Sequence, residues 1–218
     1  MLRHSAAHVF VTDLDAPALE ESDEHHLRRV LRIRPDDVVT ISDGVGRWTT
    51  TRLTAAGLEP DGVVMTEERP RPVEVWSAIP KGDRPEWIVQ KLTELGLTRI
   101  GFVHCARSVV RWDADRAERQ IDRLRRVARE AAMQSRRVWL PEVVGPVPVA
   151  ELDPTGLAFA DPDGAPLDAP VNRVAVGPEG GFTPEELAAA PATASVGALV
   201  LRVETAAIAA GVLLTAPR

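Results

Sequence analysis

The spacing of apolar and polar positions changes character near residue 70. Before it, apolar residues come in short β-branched runs, HVFVTD, DDVVTISDG, RWTTTRLTA and GVVMTEE, divided by Gly, Asp and Pro. Such runs predict strands. SDGVGRW predicts a hairpin, because Asp-Gly tolerates the positive φ of a tight turn. One helix is expected here, from near Ser22 to Ile33. ERPRPVEV then supplies two prolines and a charge cluster, which puts a domain boundary near 70.

Beyond residue 70 the pattern becomes strand-helix alternation. VEVWSAI predicts a strand. GDRPEWIVQKLTELG predicts a helix with Asp83 as N-cap, Pro85 in the first turn and Glu86 completing a capping box. Ile88, Leu92 and Leu95 share one face of it, and Gly96 ends it. RIGFVHC is the next strand. A long helix follows over about 114–134, with Ile121, Leu124, Val127 and Ala131 inward and arginines outward. GLAFAD and RVAVG are further strands, PEELAAA a helix, ASV a short strand and VETAAIAAGVLLTA a terminal helix. This alternation implies an α/β fold whose mainly parallel sheet is covered on both faces.

Composition narrows the class. Apolar residues make up 44% of the 218 residues, enough for a real core. The single cysteine, Cys105, cannot build a disulfide framework, so a reducing, cytoplasmic setting is expected. MLRHSAAHVF lacks the apolar run of a signal peptide, and AAIAAGVLLTA is too short to span a bilayer. No membrane association is expected.

The net charge of -6 argues against nucleic acid only if charge is averaged over the chain. Residues 99–137 hold eleven arginines against five acids, whereas 142–218 hold ten acids against three arginines. A basic RNA-facing surface beside an acidic pocket would look like this, and so would an Arg-rich solvated helix face. Only Lys81 and Lys91 among the 26 basic residues are lysines, a bias that suits phosphate and base-edge recognition but also follows from a GC-rich genome. His4, His8, His25, His26 and His104 form no metal-ligand spacing, so no metal is expected.

Two segments carry candidate chemistry. In VAVGPEGGFTPEEL (174–187) a strand ends at Val176, a loop follows, and Thr183, Pro184 and Glu186 form the N-cap, first turn and capping box of a helix. Gly177, Gly180 and Gly181 let backbone and ligand approach closely. The loop lacks the Gly-Lys-Ser/Thr ending of a phosphate loop and the Gly-x-Gly-x-x-Gly dinucleotide spacing. Glu179 also disfavours an anion. A cationic or neutral ligand suits it better, although an ordinary βα loop would look similar. In VGALVLRVETAAIAA (196–210), Arg202 and Glu204 flank an expected N-cap Thr205 at the mouth of the last helix, a pattern that terminus electrostatics alone could also produce.

Taken in order, these segments resemble the SPOUT superfamily, and more closely the ribosomal small-subunit methyltransferase E (RsmE) family. The likeness rests on RH at 3–4, HHLRRVLRI at 25–33, KGDRPEWIVQKLTELGL at 81–97, ARSV at 106–109, QSRRVWLPEV at 134–143, GPEGGF at 177–182 and LRVETA at 201–206. Departures are Val203 for the usual Thr, Leu199 for Arg, Met133-Gln134 for Glu-Gln, and Arg34-Pro35-Asp36-Asp37 for a Gly-rich turn.

The resemblance implies a small PUA-like β-barrel RNA-binding domain over 1–70 and a trefoil-knotted SPOUT methyltransferase domain over 71–218. It implies S-adenosyl-L-methionine as cofactor, held by Ala160, Asp161, Val176, Gly177, Glu179, Gly180, Gly181, Gly197, Leu199, Leu201, Arg202, Thr205 and Ala206. It implies a homodimer that methylates N3 of a uridine in 16S rRNA, free or in the small ribosomal subunit. Arg202 would stabilise the uracil anion, with Glu204 as proton acceptor or as the group orienting Arg202. Arg3, His4, His26, Arg29, Arg32, Lys81, Arg107, Gln134 and Arg137 would position RNA. The rivals are a methyltransferase for tRNA or 23S rRNA, and a non-catalytic RNA-binding assembly factor. A nucleotide-phosphate enzyme is disfavoured by the missing phosphate-loop lysine.

Overall fold

The computed structural model describes residues 2–34, 37–55, 57–167 and 170–216. Pro35 and Asp36, within the departure at 34–37, lie outside the described residues. Two compact units are present: 1–70 with 129–140, and 71–128 with 141–218.

The first unit is a mixed sheet of five strands: β1 (Ala7–Phe10), β2 (Val38–Ser42), β3 (Arg47–Thr54), β4 (Gly57–Pro60) and β5 (Met65–Thr66). The order is β1-β2-β3-β4, with β5 also on β3, and only β1 and β2 run parallel. The expected hairpin joins β2 to β3. Asp43 Oδ1 accepts from the Val45 and Arg47 amides, and Gly44 and Gly46 adopt φ of 77° and 101°. The expected helix is short: α1 (Glu21–His25) passes into a π-turn over His26–Val30, and Leu27 anchors both in a core with Val9, Val39, Ile41 and Leu53.

The second unit holds six strands, β6 (Glu74–Ala78), β7 (Arg99–His104), β8 (Glu142–Pro148), β9 (Leu157–Pro166), β10 (Arg173–Val176) and β11 (Thr193–Ser195). All five neighbouring pairs are parallel, in the order β11-β9-β10-β6-β7-β8. Its helices are α2 (Arg84–Leu95), α4 (Pro184–Ala189), α5 (Val203–Thr215) and the first part of α3 (Ala114–Ser135), whose last turns belong to the first unit. Successive strand residues point to opposite faces. Val174 and Phe102 therefore join one core with Ile88, Leu92 and Leu214, while Ala175 and Val103 join another with Phe159 and Phe182. The sheet is covered on both sides, as the alternation predicted.

Four expectations about these elements change. Asp83 caps α2 without a side-chain hydrogen bond, because its backbone, at φ −88° and ψ 9°, is not in the extended conformation that aims a capping side chain at the first turn; Glu86 pairs with Arg123 of α3 at 3.0 Å. The N-cap of α5 is Arg202, so Thr205 sits exposed in the first turn rather than at the cap. Strands β4 and β8 were not expected. Among the described residues no helix is long and apolar enough to cross a membrane.

Candidate methyl-donor cleft

In a parallel sheet the ligand crevice opens beyond the carboxyl ends of the strands. A cleft of about 310 Å³ lies there in the second unit, beyond β10 and beside the middle of β9. Its walls are Ala160 to Pro162, Val176 to Phe182, and residues between Val196 and Ala206. The three segments meet although they are remote in sequence.

Each wall has a local cause. At the first, β11 pairs Thr193 with Phe159 but Ala194 with Ala165, so residues 160–164 leave the ladder. Asp161 Oδ1 accepts from the Asp163 amide and shapes that excursion. In the second, Gly181 donates to the Pro178 carbonyl at 2.8 Å and adopts φ of 68°, a conformation costly for residues with a Cβ. In the third, Gly197 packs closely under Leu201: a Cβ there would sit 3.0 Å from Leu201 Cδ1, so the loop closes most tightly with glycine at that position.

The second wall is braced from outside the cleft. Thr183 Oγ1 accepts from the Glu186 amide, and Glu186 Oε2 accepts from the Thr183 amide: the expected capping box. The other Glu186 oxygen accepts from the Ala106 amide at 2.8 Å, which ties this wall to the loop after β7. From that loop Arg107 donates to the carbonyls of Gly180 and Phe182. Arg107, expected to touch RNA, therefore holds the cleft wall. Neighbouring Cys105 is buried, and burial first, Glu186 second, push its thiol up to about 12, so it is no nucleophile. Burial, then Arg111, lower His104 below the usual imidazole range.

Asp161 and Glu179 line the cleft, and among the described residues none that lines it is basic. Two carboxylates among glycines and backbone carbonyls suit a ligand that carries positive charge. Of the expected cofactor residues, Ala160, Asp161, Val176, Gly177, Glu179, Gly180, Gly181, Gly197, Leu199, Leu201 and Ala206 line it; Arg202 and Thr205 do not. Leu199 and Val200 are 78% and 88% exposed at its edge. Glu204 is buried, and its Oε1 lies 3.4 Å from Arg84 Nε. The partner of Glu204 is thus Arg84, which the sequence did not single out, and not Arg202.

Among the other expected RNA contacts, Arg3, His4, His26, Arg29, Arg32, Lys81 and Gln134 are exposed. Arg137 is half-buried, and burial pushes its guanidinium down to about 10. Its carbonyl accepts from His8 Nε2, which leaves Nδ1 to accept from the Thr40 hydroxyl.

Residues 67–215 match the RNA methyltransferase domain model, and residues 19–59 match the RNA methyltransferase PUA domain model. The chain is 34% identical to the ribosomal RNA small subunit methyltransferase E of Mycobacterium tuberculosis, across 91% of its own length and 86% of that protein's. It belongs to the ribosomal RNA small subunit methyltransferase E family. The family member from Bacillus subtilis is 33% identical over 60% of the chain and 54% of that protein. Among solved structures, the Neisseria gonorrhoeae family member bound to S-adenosyl methionine superposes with a TM-score of 0.76 at 27% identity, covering 95% of this chain and 96% of that one. A Legionella pneumophila protein in complex with the same cofactor gives 0.79 at 26% identity, covering 96% of each chain.

Proposed function

We propose that this protein transfers a methyl group from S-adenosyl-L-methionine to N3 of one uridine in 16S rRNA. The observation that carries the proposal is the single cleft shared by the 176–182 and 196–206 segments, acidic and glycine-lined, in a chain of this family. The bound cofactor supplies a methyl group on a sulfonium, which leaves without help from a metal. Asp161 and Glu179 offset the ligand's positive charge, and the glycine backbone lets it lie close.

Uridine N3 is a poor nucleophile while protonated. Its deprotonation spreads negative charge over O2, N3 and O4, and a preorganised cation there lowers the barrier. Arg202, exposed at the N-cap of α5 beside the cleft residues Leu201 and Val203, is suited to that role. Glu204 is suited to accepting the proton or to fixing the arginine it faces, Arg84. The remaining acceleration comes from holding N3 in line with the methyl carbon.

The same reading includes a PUA-like RNA-binding domain over 1–70, a SPOUT methyltransferase domain over 71–218 with the knot that the family resemblance implies, and a cytosolic homodimer holding RNA with Arg3, His4, His26, Arg29, Arg32, Lys81, Gln134 and Arg137. Calorimetric titration with S-adenosylmethionine, followed by nucleoside mapping of unmodified 16S rRNA, 23S rRNA and tRNA after turnover, tests it. N3-methyluridine in 16S rRNA alone is expected. Methylation of another RNA, or no cofactor binding, overturns it.

A further inference from the structure

A second cavity lies in the same unit, at the amino end of the sheet, whereas the methyl-donor cleft opens beyond the carboxyl end of β10. Its walls come from the first residues of β6, β7, β9 and β10, from β8, and from the turn at Val149–Glu151 and the two residues after it. Its volume is about 280 Å³. Sites that enclose a whole small molecule usually take about 300–1,000 Å³, so this one suits a single side chain.

The floor is an indole. Trp76 stands opposite Gly101 in the β6–β7 ladder, and a Cβ on Gly101 would collide with its ring. Glycine inside a strand weakens it and marks a close approach. The ring therefore lies over the bare β7 backbone, and its Nε1 donates to Glu74 Oε2 at 3.0 Å, which fixes its orientation. Trp76 stays half-buried, and Val147, Leu152 and Leu157 add apolar walls.

The charges around that floor do not balance. Glu74 is 5% exposed and sits between Arg99 Nη1 at 3.3 Å and Arg173 Nε at 3.4 Å. Arg99 also meets Glu142 at 2.6 Å, and Arg173 meets Asp153 at 2.6 Å. Each guanidinium is thus answered by two carboxylates. Glu151 lies exposed on the wall, and its carboxylate has no partner among the described residues. Four carboxylates, Glu74, Glu142, Glu151 and Asp153, against two arginines leave the site negative, which disfavours a phosphate or an RNA strand and favours a cation.

We infer that this cavity receives an arginine side chain of a basic polypeptide partner, whose guanidinium stacks on Trp76 and pairs with Glu151. Tryptophan is the ring that best attracts a cation over its face, and a guanidinium is flat enough to stack there and to bind a carboxylate with two donors. A lysine ammonium, a compact point charge, would use the carboxylate but not the flat floor. Proteins that bind RNA carry such arginines, so the partner is a protein that shares the RNA substrate. For that identity, and not for the chemistry of the contact, the inference rests on the proposed function. A partner seated at the amino ends of the strands leaves the cleft beyond β10 open.

The test uses the full chain labelled with nitrogen-15 and reads the indole N–H signal of Trp76, identified by its loss in Trp76→Phe. The probe is a capped Gly-Ser-Arg-Ser-Gly peptide, with twins that carry citrulline or lysine in place of arginine. The arginine peptide should shift the signal saturably, the lysine twin should bind about threefold more weakly, and the neutral citrulline twin should not bind. Glu151→Gln should weaken the arginine peptide about threefold, the loss of one exposed ion pair, and Glu151→Lys should weaken it further. Because Glu151 is exposed, neither variant disturbs the core. No saturable shift, an equal response to arginine and citrulline or to arginine and lysine, or an unchanged affinity in both Glu151 variants overturns the site. Binding of agmatine without the peptide would assign the cavity to a free guanidine, and a shift caused by a uridine-containing RNA oligonucleotide would assign it to RNA; either result overturns the polypeptide partner. A parent protein that binds the peptide but not S-adenosylmethionine would sink the proposed function and leave this contact standing.

Discussion

The guanidinium of Arg107 donates to the Gly180 carbonyl at 2.9 Å and to that of Phe182 at 3.1 Å. One side chain from the loop after β7 thus sets the shape of the loop after β10. Removing it frees the cleft wall before any ligand is touched. Arg107→Ala should weaken S-adenosylmethionine binding roughly tenfold, since hydrogen bonds from charged donors contribute about 1.5 kcal/mol and this one is exposed. Calorimetric titration reads the effect. An unchanged affinity would show that the loop holds its form without the arginine.

Arg202 should behave differently. It lies outside the cleft lining, so Arg202→Ala should leave cofactor affinity intact. If it stabilises the uracil anion, kcat should fall by about 10²–10³, the usual loss on removing one oxyanion donor. Single-turnover methylation with saturating RNA separates this from a binding defect. Full activity in the variant would remove Arg202 from the mechanism.

Glu186 ends both its oxygens on backbone amides, Thr183 on one side and Ala106 on the other. Glu186→Ala should cost about 1 kcal/mol for the lost cap and more for the second unanswered amide. Thermal unfolding should show a lowered Tm, and cofactor affinity should fall with it. Glu185→Ala, one residue away and exposed, is the matched control.

His8 makes folding sensitive to acid. Burial is the main cause of a pKa lowered from 6.5 to about 4, with Arg136 adding to it and the Arg137 carbonyl opposing it. The unfolded chain therefore takes up a proton on His8 between those values while the folded chain does not. That contribution to stability is complete above pH 6.5 and is lost as pH falls toward 4, by up to about 3 kcal/mol at 1.36 kcal/mol per unit. Urea midpoints should drop between pH 7 and pH 5, and His8→Asn should flatten the drop. Equal pH dependence in both proteins would place the effect elsewhere.

Much of this molecule can be read from its residues, and the exceptions have physical reasons. The strand–loop–helix at 174–187 is local: the capping box of Thr183 and Glu186 forms within four residues, as expected. The same pattern at Asp83 and Glu86 fails because the Asp83 backbone is not extended, while Glu86 turns to Arg123, 37 positions away. Strand β8 was illegible because Gly145, Pro146 and Pro148 break the usual run. It lies at the edge of the sheet, where missing donors are tolerated. The cleft segments were found through motif likeness; periodicity alone offered two ordinary helix starts. Nothing local marks Arg84, because its partner Glu204 is brought to it only by the packing of α5 against α2. His8, in a short apolar run, gives no sign that its ring will be dry.

The excursion at 160–164 has one more consequence. Strand β9 spends six residues while β11 advances by one, yet the ladder resumes in step at Ala165. Inside a regular ladder a single inserted residue would turn every later side chain to the wrong face. Here the surplus is absorbed before pairing begins again. The first wall can therefore lengthen or shorten by a residue without a shift propagating through the sheet, which makes it the place where ligand preference can drift while the scaffold stays constant.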